Sequence, residues 1–196
     1  VMNENYPQPS KPEGVEDGIV RGMYRYTSAD AGSAQIRLLG SGTILREVLA
    51  AAGLLKNDWR VTCEVWSVTS FTELARDARA TARWNRLHAD APPKQSYLVE
   101  CLAGEAPIVA ATDYVAAYPQ LIAPYLAAPL HALGTDGFGR SDTRSALRDF
   151  FETDRKHIVI TALAALRNCG DVSSDTFRTA LETYSIDTER RAPWLS

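Results

Sequence analysis

The chain has 196 residues, 45% of them apolar and 23% charged, which is the composition of a globular protein and excludes a disordered one. A chain of this length fits a single domain, able to bury roughly 70% of the surface its unfolded form exposes, so neither a metal nor a disulfide is needed for stability. The net charge of −3 disfavours a general nucleic-acid binder and leaves room only for a local basic stripe.

No apolar run approaches the ~20 residues of a membrane span, and the N-terminus lacks the basic-then-apolar order of a secretory signal. No membrane partner is expected. Cys63, Cys101 and Cys169 lie far apart, two of them in apolar periodic stretches. That argues for buried free thiols rather than bridges or ligands, and for a reducing cytoplasm.

The chain opens without an initiator methionine. VMNEN reads as the last part of a strand and the proline-rich YPQPSKPEG as an extended linker, so a piece of a longer protein is expected. A short helix is expected from Val15 to Met23. YRYT, residues 24–27, alternates as a strand would and is expected to run antiparallel to the next one, beyond the loop SADAGS.

AQIRLL (34–39) reads as that next strand. GSGT and a helix over 43–55 follow, with Ile44, Leu45, Val48, Leu49, Ala52 and Leu55 on one apolar face. VTCEVWSV (61–68) is the next strand. Ser70 and Glu73 then have the spacing of a capping box at the head of a long helix carrying Phe71, Leu74, Ala75, Ala78 and Ala82 on one side and running to Leu87. ADAPPKQ ends it. A short helix over 97–102, a buried strand PIVAAT (107–112) closed by Asp113, and a helical stretch over 115–126 broken by Pro119 and Pro124 come next.

The strand 130–134 leads into GTDGFGRSDTR (134–144). Gly134, Gly137 and Gly139 permit positive φ or close backbone approach, and Asp142 or Thr143 can cap the helix that follows at 143–151. A helix over 155–169, with Val159, Ala162, Leu163, Leu166 and Cys169 on one face, stops at Gly170. The last helix, 173–185, shows Phe177, Ala180, Leu181 and Tyr184 in register, and the tail ERRAPWLS is expected to be loosely held. Strands alternating with helices imply a mainly parallel sheet covered on both faces.

Candidate chemistry is sparse. GSGT fails the dinucleotide fingerprint, because Leu45 replaces the third glycine and no acidic residue closes the next strand. His88, His131 and His157 lack metal-ligand spacing, and no G-x-S-x-G is present. The polar residues at the strand ends, Ser41, Thr43, Thr69, Ser70, Asp113, Thr135 and Asp136, are expected to converge on one rim of the sheet. A structural rim is the favoured reading, an anion or small-molecule pocket the alternative. Arg76, Arg79, Arg83 and Arg86 form a stripe on the long helix, with Glu73 and Asp77 interleaved. A salt-bridged or subunit-facing surface is favoured over a site for an acidic partner. Trp84 and Leu87 hint at a second apolar contact there.

The segments VMNENYPQPSKPEG, LLGSGTILREVL, SVTSFTELARDA, RWNRLH, AATDYVAAYP and LGTDGFGRSDTRSALRDFFE together resemble the C-terminal region of the homodimeric bacterial pyruvate dehydrogenases. The related transketolases carry a comparable Gly-x-Asp-x-Phe-Gly loop, matched by Gly134, Asp136, Phe138 and Gly139. The resemblance implies a three-layer α/β/α domain with a five-stranded, mostly parallel sheet and one antiparallel strand, YRYT. Residues 1–12 would end a preceding domain and its linker, 13–188 form the C-terminal domain, and 189–196 a tail. In that family thiamine diphosphate and magnesium lie between two other domains, so no catalytic, cofactor or metal residue is assigned to this chain and no decarboxylation is expected of it alone. The implied partners are a second copy of the subunit and the dihydrolipoyl acyltransferase of the complex, with the arginine stripe as a candidate docking face. The rival readings are an independent anion- or nucleotide-binding module at the strand-end rim and a free-standing α/β hydrolase.

Overall fold

The computed structural model of the chain describes residues 9–29 and 33–196. The segment VMNENYPQ and the middle of the loop SADAGS, read above as a strand end with its linker and as a connection, lie outside the described residues. The elements follow in the order α1 (Glu16–Arg21), β1 (Met23–Thr27), β2 (Ile36–Ser41), α2 (Leu45–Trp59), β3 (Cys63–Val68), α3 (Phe71–Leu87), α4 (Tyr97–Cys101), β4 (Ile108–Ala111), α5 (Ala117–Gln120), β5 (Leu130–Leu133), α6 (Arg144–Phe150), α7 (Arg155–Cys169) and α8 (Ser174–Thr183).

The strands form one five-stranded sheet in the order β1-β3-β2-β4-β5. β2 pairs in parallel with β3 and β4, and β4 with β5, while β1 is antiparallel. The partner of β1 is β3 and not β2, as the sequence had suggested. Both edges of β2 are taken by β3 and β4, and β1 lies on the outer edge of β3. A register shift between Arg25 and Thr27 bends β1 as it leaves that edge.

Alternation along the strands sends side chains to two separate cores. Ile36, Leu38, Val65, Val109 and Ala111 pack against α2, α7 and α8 through Val48, Leu55, Ile158, Leu163 and Ala180. Leu39, Trp66, Val68, Ile108 and Ala110 pack on the opposite face against Phe71, Leu74 and Ala78 of α3 and Leu98 of α4. This is the three-layer α/β/α arrangement expected, with the sheet apolar on both faces as parallel strands require.

Ser70, Thr143, Asp154 and Ser173 each accept a hydrogen bond from the backbone N–H three residues on, capping α3, α6, α7 and α8. The expected capping box at Ser70 is only half made. The Ser70 N–H donates to the Gly22 carbonyl at 3.0 Å, and the Glu73 carboxylate turns to Arg76 instead, at 2.7 Å.

Three expectations are corrected. Ala82 is exposed, the buried face of α3 ending at Ala78, and Cys169 is exposed at the end of α7; Cys63 and Cys101 are half-buried. The expected apolar face of α2 forms, and Glu47 is buried on the same helix. The tail is not loose: Arg190 donates to the Asp149 carboxylate at 2.8 Å and to its carbonyl at 2.6 Å, and Pro193 is buried.

Candidate functional site

β2, β3, β4 and β5 end on one side of the sheet, and the rim residues meet there largely to bond one another. Ser41 donates to Thr112 at 2.7 Å, and Thr112 in turn accepts the Tyr114 N–H at 3.2 Å. Thr43 reaches the Asp113 carboxylate at 3.4 Å, Thr135 donates to the Asp113 carbonyl at 2.5 Å, and the Asp136 carboxylate accepts the Ala116 N–H at 3.1 Å. On the far side Thr69 donates to the Ile19 carbonyl at 2.8 Å and Ser70 caps α3.

The seven predicted rim residues do not form one pocket. Thr43, Asp113 and Thr135 line a cleft of about 750 Å³, while Ser41, Thr69 and Ser70 line a smaller one of about 370 Å³ beside Tyr114 and Tyr118. Asp136 lines neither of these two and braces the loop instead. The larger cleft takes its opposite wall from Arg140, Arg144, Leu147 and Arg148, which sequence reasoning missed. The signal was available for Arg144 and Arg148, whose four-residue spacing puts them on one side of α6; Arg140 lies on the loop before it.

The glycine loop behaves as two of its three glycines require. A Cβ on Gly134 would stand 2.4 Å from the Ala116 backbone nitrogen, and Gly137 has φ +98° and a Cβ there would stand 2.9 Å from the Trp194 α-carbon. Gly139 meets neither condition. Thr143, not Asp142, caps α6.

Behind the cleft α2, α6 and α7 are joined by one carboxylate. Glu47 accepts from Arg148 at 2.8 Å, from Arg155 Nε at 2.8 Å and Nη2 at 3.2 Å, and from the Arg155 N–H at 3.2 Å. Burial alone would raise the Glu47 carboxyl. The hydrogen bond from Arg155 and the charges of Arg155 and Arg148 outweigh that and hold it below the usual carboxylate range. Asp154 follows the same logic: burial works upward, and the His157 imidazole and N–H, at 2.8 and 2.9 Å, bring it down.

Asp149, Asp154 and His157 have ligand atoms close enough together for a metal. The Arg190 guanidinium lies 2.8 Å from Asp149 and 3.3 Å from His157 Nε2, so a cation already occupies that position. An arginine can only donate, so His157 Nε2 accepts and Nδ1 carries the proton given to Asp154. No thiamine chemistry is derived from the rim residues.

On α3 Arg76 pairs with Glu73 at 2.7 Å, whereas Asp77 turns away to accept the Tyr97 N–H at 2.8 Å. Arg79, Arg83 and Arg86 are exposed and have no partner among the described residues, so the salt-bridged face expected there is formed at its first turn alone. Trp84 is stacked on His88, ring centroids 4.4 Å apart, with the Lys94 ammonium 4.0 Å from its ring. Leu87 is exposed.

Fold and rim together define an α/β lobe whose strand ends carry braced loops, with one antiparallel strand at the sheet's edge. A family model described as the transketolase-like TK C-terminal domain matches residues 22–154, and the chain belongs to that family. Among its relatives, the pyruvate dehydrogenase E1 component of Pseudomonas aeruginosa is 50% identical over 98% of the chain. That of Escherichia coli K12 is 41% identical over 100% of it. The chain spans 22% of the length of each. Transketolase from Leishmania mexicana superposes with a TM-score of 0.54 at 20% identity, covering 82% of this chain and 21% of that one. Transketolase from Campylobacter jejuni gives 0.53 at 19%, covering 79% and 20%. At those identities the likeness is one of fold.

Proposed function

We propose that the chain is the supporting C-terminal lobe of a pyruvate dehydrogenase E1 component, an enzyme that decarboxylates pyruvate on thiamine diphosphate with magnesium and passes the acetyl unit to the lipoyl group of the acyltransferase. Residues 13–188 are its folded body, 1–12 the lead-in and 189–196 a docked tail. The chemistry belongs to domains outside this chain, in the cytoplasm. The lobe supplies contacts to the second subunit and to the neighbouring domains. Whole-chain identity to E1 components supports the parentage.

The observation that carries the contact role is apolar surface at the rim. Tyr114, Val115, Tyr118 and Leu121 are exposed on the segment after β4, and Phe138 is 84% and Trp194 60% exposed on the adjoining segments. The three segments touch through Gly134 against Ala116 and Gly137 against Trp194. A monomer gains nothing from that much clustered aromatic surface in water. The acyltransferase docks, in this reading, on the arginines of α3 that lack partners. Light scattering of the chain should show concentration-dependent self-association that Phe138→Ser with Tyr118→Ser abolishes, and no carbon dioxide should be released from pyruvate with cofactor and magnesium added. Turnover by the chain alone sinks the parentage; unchanged association in the double variant sinks the contact surface.

A further inference from the structure

Back to back with the rim cleft lies a second cleft of about 590 Å³, walled by the first turn of α2, by α6 and by the N-terminus of α7. It gathers Arg46, Arg144, Arg148, Arg155 and Lys156 against two carboxylates, Glu47 and Asp154. We propose that this cleft is a binding site for a small polyanion of the phosphate class. The proposal does not depend on the parentage argued above.

Two carboxylates against five cationic side chains leave the cleft with net positive charge. Glu47 accepts four hydrogen bonds, from Arg148, the Arg155 side chain and the Arg155 N–H, which is the capacity of a carboxylate. Asp154 accepts the His157 N–H and the His157 imidazole while capping α7. Lys156 makes no ion pair or side-chain hydrogen bond among the described residues.

The guanidinium of Arg148 is largely buried, its side chain 14% exposed, and it uses one Nη on Glu47. Its remaining N–H groups form a fixed fork suited to a phosphoryl oxygen. The cleft is a concave space walled by three elements. That geometry favours a compact anion over an acidic polypeptide, which reads an extended face such as the α3 stripe.

Titration calorimetry of the 196-residue chain with inorganic pyrophosphate, at constant ionic strength, tests this. Saturable submillimolar binding is expected, weakened about tenfold or more by Lys156→Glu and unchanged by Arg83→Glu on the far helix α3. Lys156 is exposed, so its variant should melt with the wild type and the comparison remains clean. Absence of saturable heat overturns the proposal, as does equal loss in both variants, which would mean a general charge effect. Tighter binding of a polyglutamate peptide than of pyrophosphate, with the same loss in Lys156→Glu, would also overturn it and assign the cleft to an acidic chain.

Discussion

Glu47→Gln isolates the contact that binds three helices together. The substitution keeps the volume of the side chain and one carbonyl acceptor but removes the charge facing Arg148 and Arg155. Hydrogen bonds to a charged group contribute about 1.5–3 kcal/mol each, and breaking a fully buried ion pair costs about 3–5 kcal/mol. Here the acceptor is buried, with Glu47 7% exposed, and Arg148 is nearly so at 14%, whereas Arg155 is 51% exposed and regains water. The Arg155 contribution is therefore discounted as that of a surface pair, at about 0–1 kcal/mol. What remains is about 2–3 kcal/mol, a fall in Tm of roughly 5–10 °C for a chain of this size.

The pH dependence supplies an independent check. The folded-state pKa of Glu47 lies below its usual value, so the unfolded chain binds the proton more readily. The stabilisation is fully present above the unfolded value of about 4.3 and fades as pH falls through the folded one. Urea unfolding at pH 7 should show the whole difference between wild type and Glu47→Gln, and the difference should shrink steadily below about pH 4. A gap under about 0.5 kcal/mol at pH 7, within what a surface substitution does, would refute the reasoning. So would a gap as large at acid pH as at neutral pH.

The glycine loop offers a matched pair. Gly134→Ala places a methyl 2.4 Å from a backbone nitrogen and should destabilise by about 1–3 kcal/mol, whereas Gly139→Ala, with open space around it, should be neutral or slightly stabilising; thermal melts of the two variants decide it. Arg190→Ala removes the cation shared by Asp149 and His157 and should speed removal of the last residues by a carboxypeptidase while leaving far-ultraviolet circular dichroism unchanged. A tail equally resistant in the variant would mean that Pro193 alone holds it.

Most elements were legible because their signals are local. α7 carries a 3.6-residue apolar period, a capping Asp154 and a closing Gly170, and its bounds of Arg155–Cys169 match the expected 155–169. β4 is an unbroken apolar run, as a strand buried on both faces must be. What escaped depends on residues far apart in the chain. The partner of β1 depends on the order of the strands around β2, which no local pattern encodes. Glu47 looks like an ordinary exposed charge on α2 until α6 and α7 bring arginines roughly a hundred residues downstream against it. The rim was foreseen as a set of polar strand ends, but its division in two and its arginine wall were not. Attention to glycines hid the Arg144 and Arg148 spacing in the same stretch.

The bonds at the rim explain why its polar residues make poor chemistry and a good frame. Tyr114 O accepts the Thr135 N–H at 2.8 Å, the Asp113 carbonyl accepts the Thr135 hydroxyl, and Asp136 holds the Ala116 N–H. Each bond ties the segment after β4 to the loop after β5, and Gly134 lets the two backbones meet where any side chain would part them. A hydroxyl or carboxylate committed to a backbone partner is unavailable to a substrate, and replacing the bond would cost the desolvated partner its satisfaction. The same commitment fixes the backbone under Tyr114, Tyr118 and Phe138, whose side chains stay exposed. Aromatic groups on a rigid support lose little conformational entropy when covered. Under the proposed function, polar atoms turned inward and apolar ones outward suit a surface that positions a neighbour.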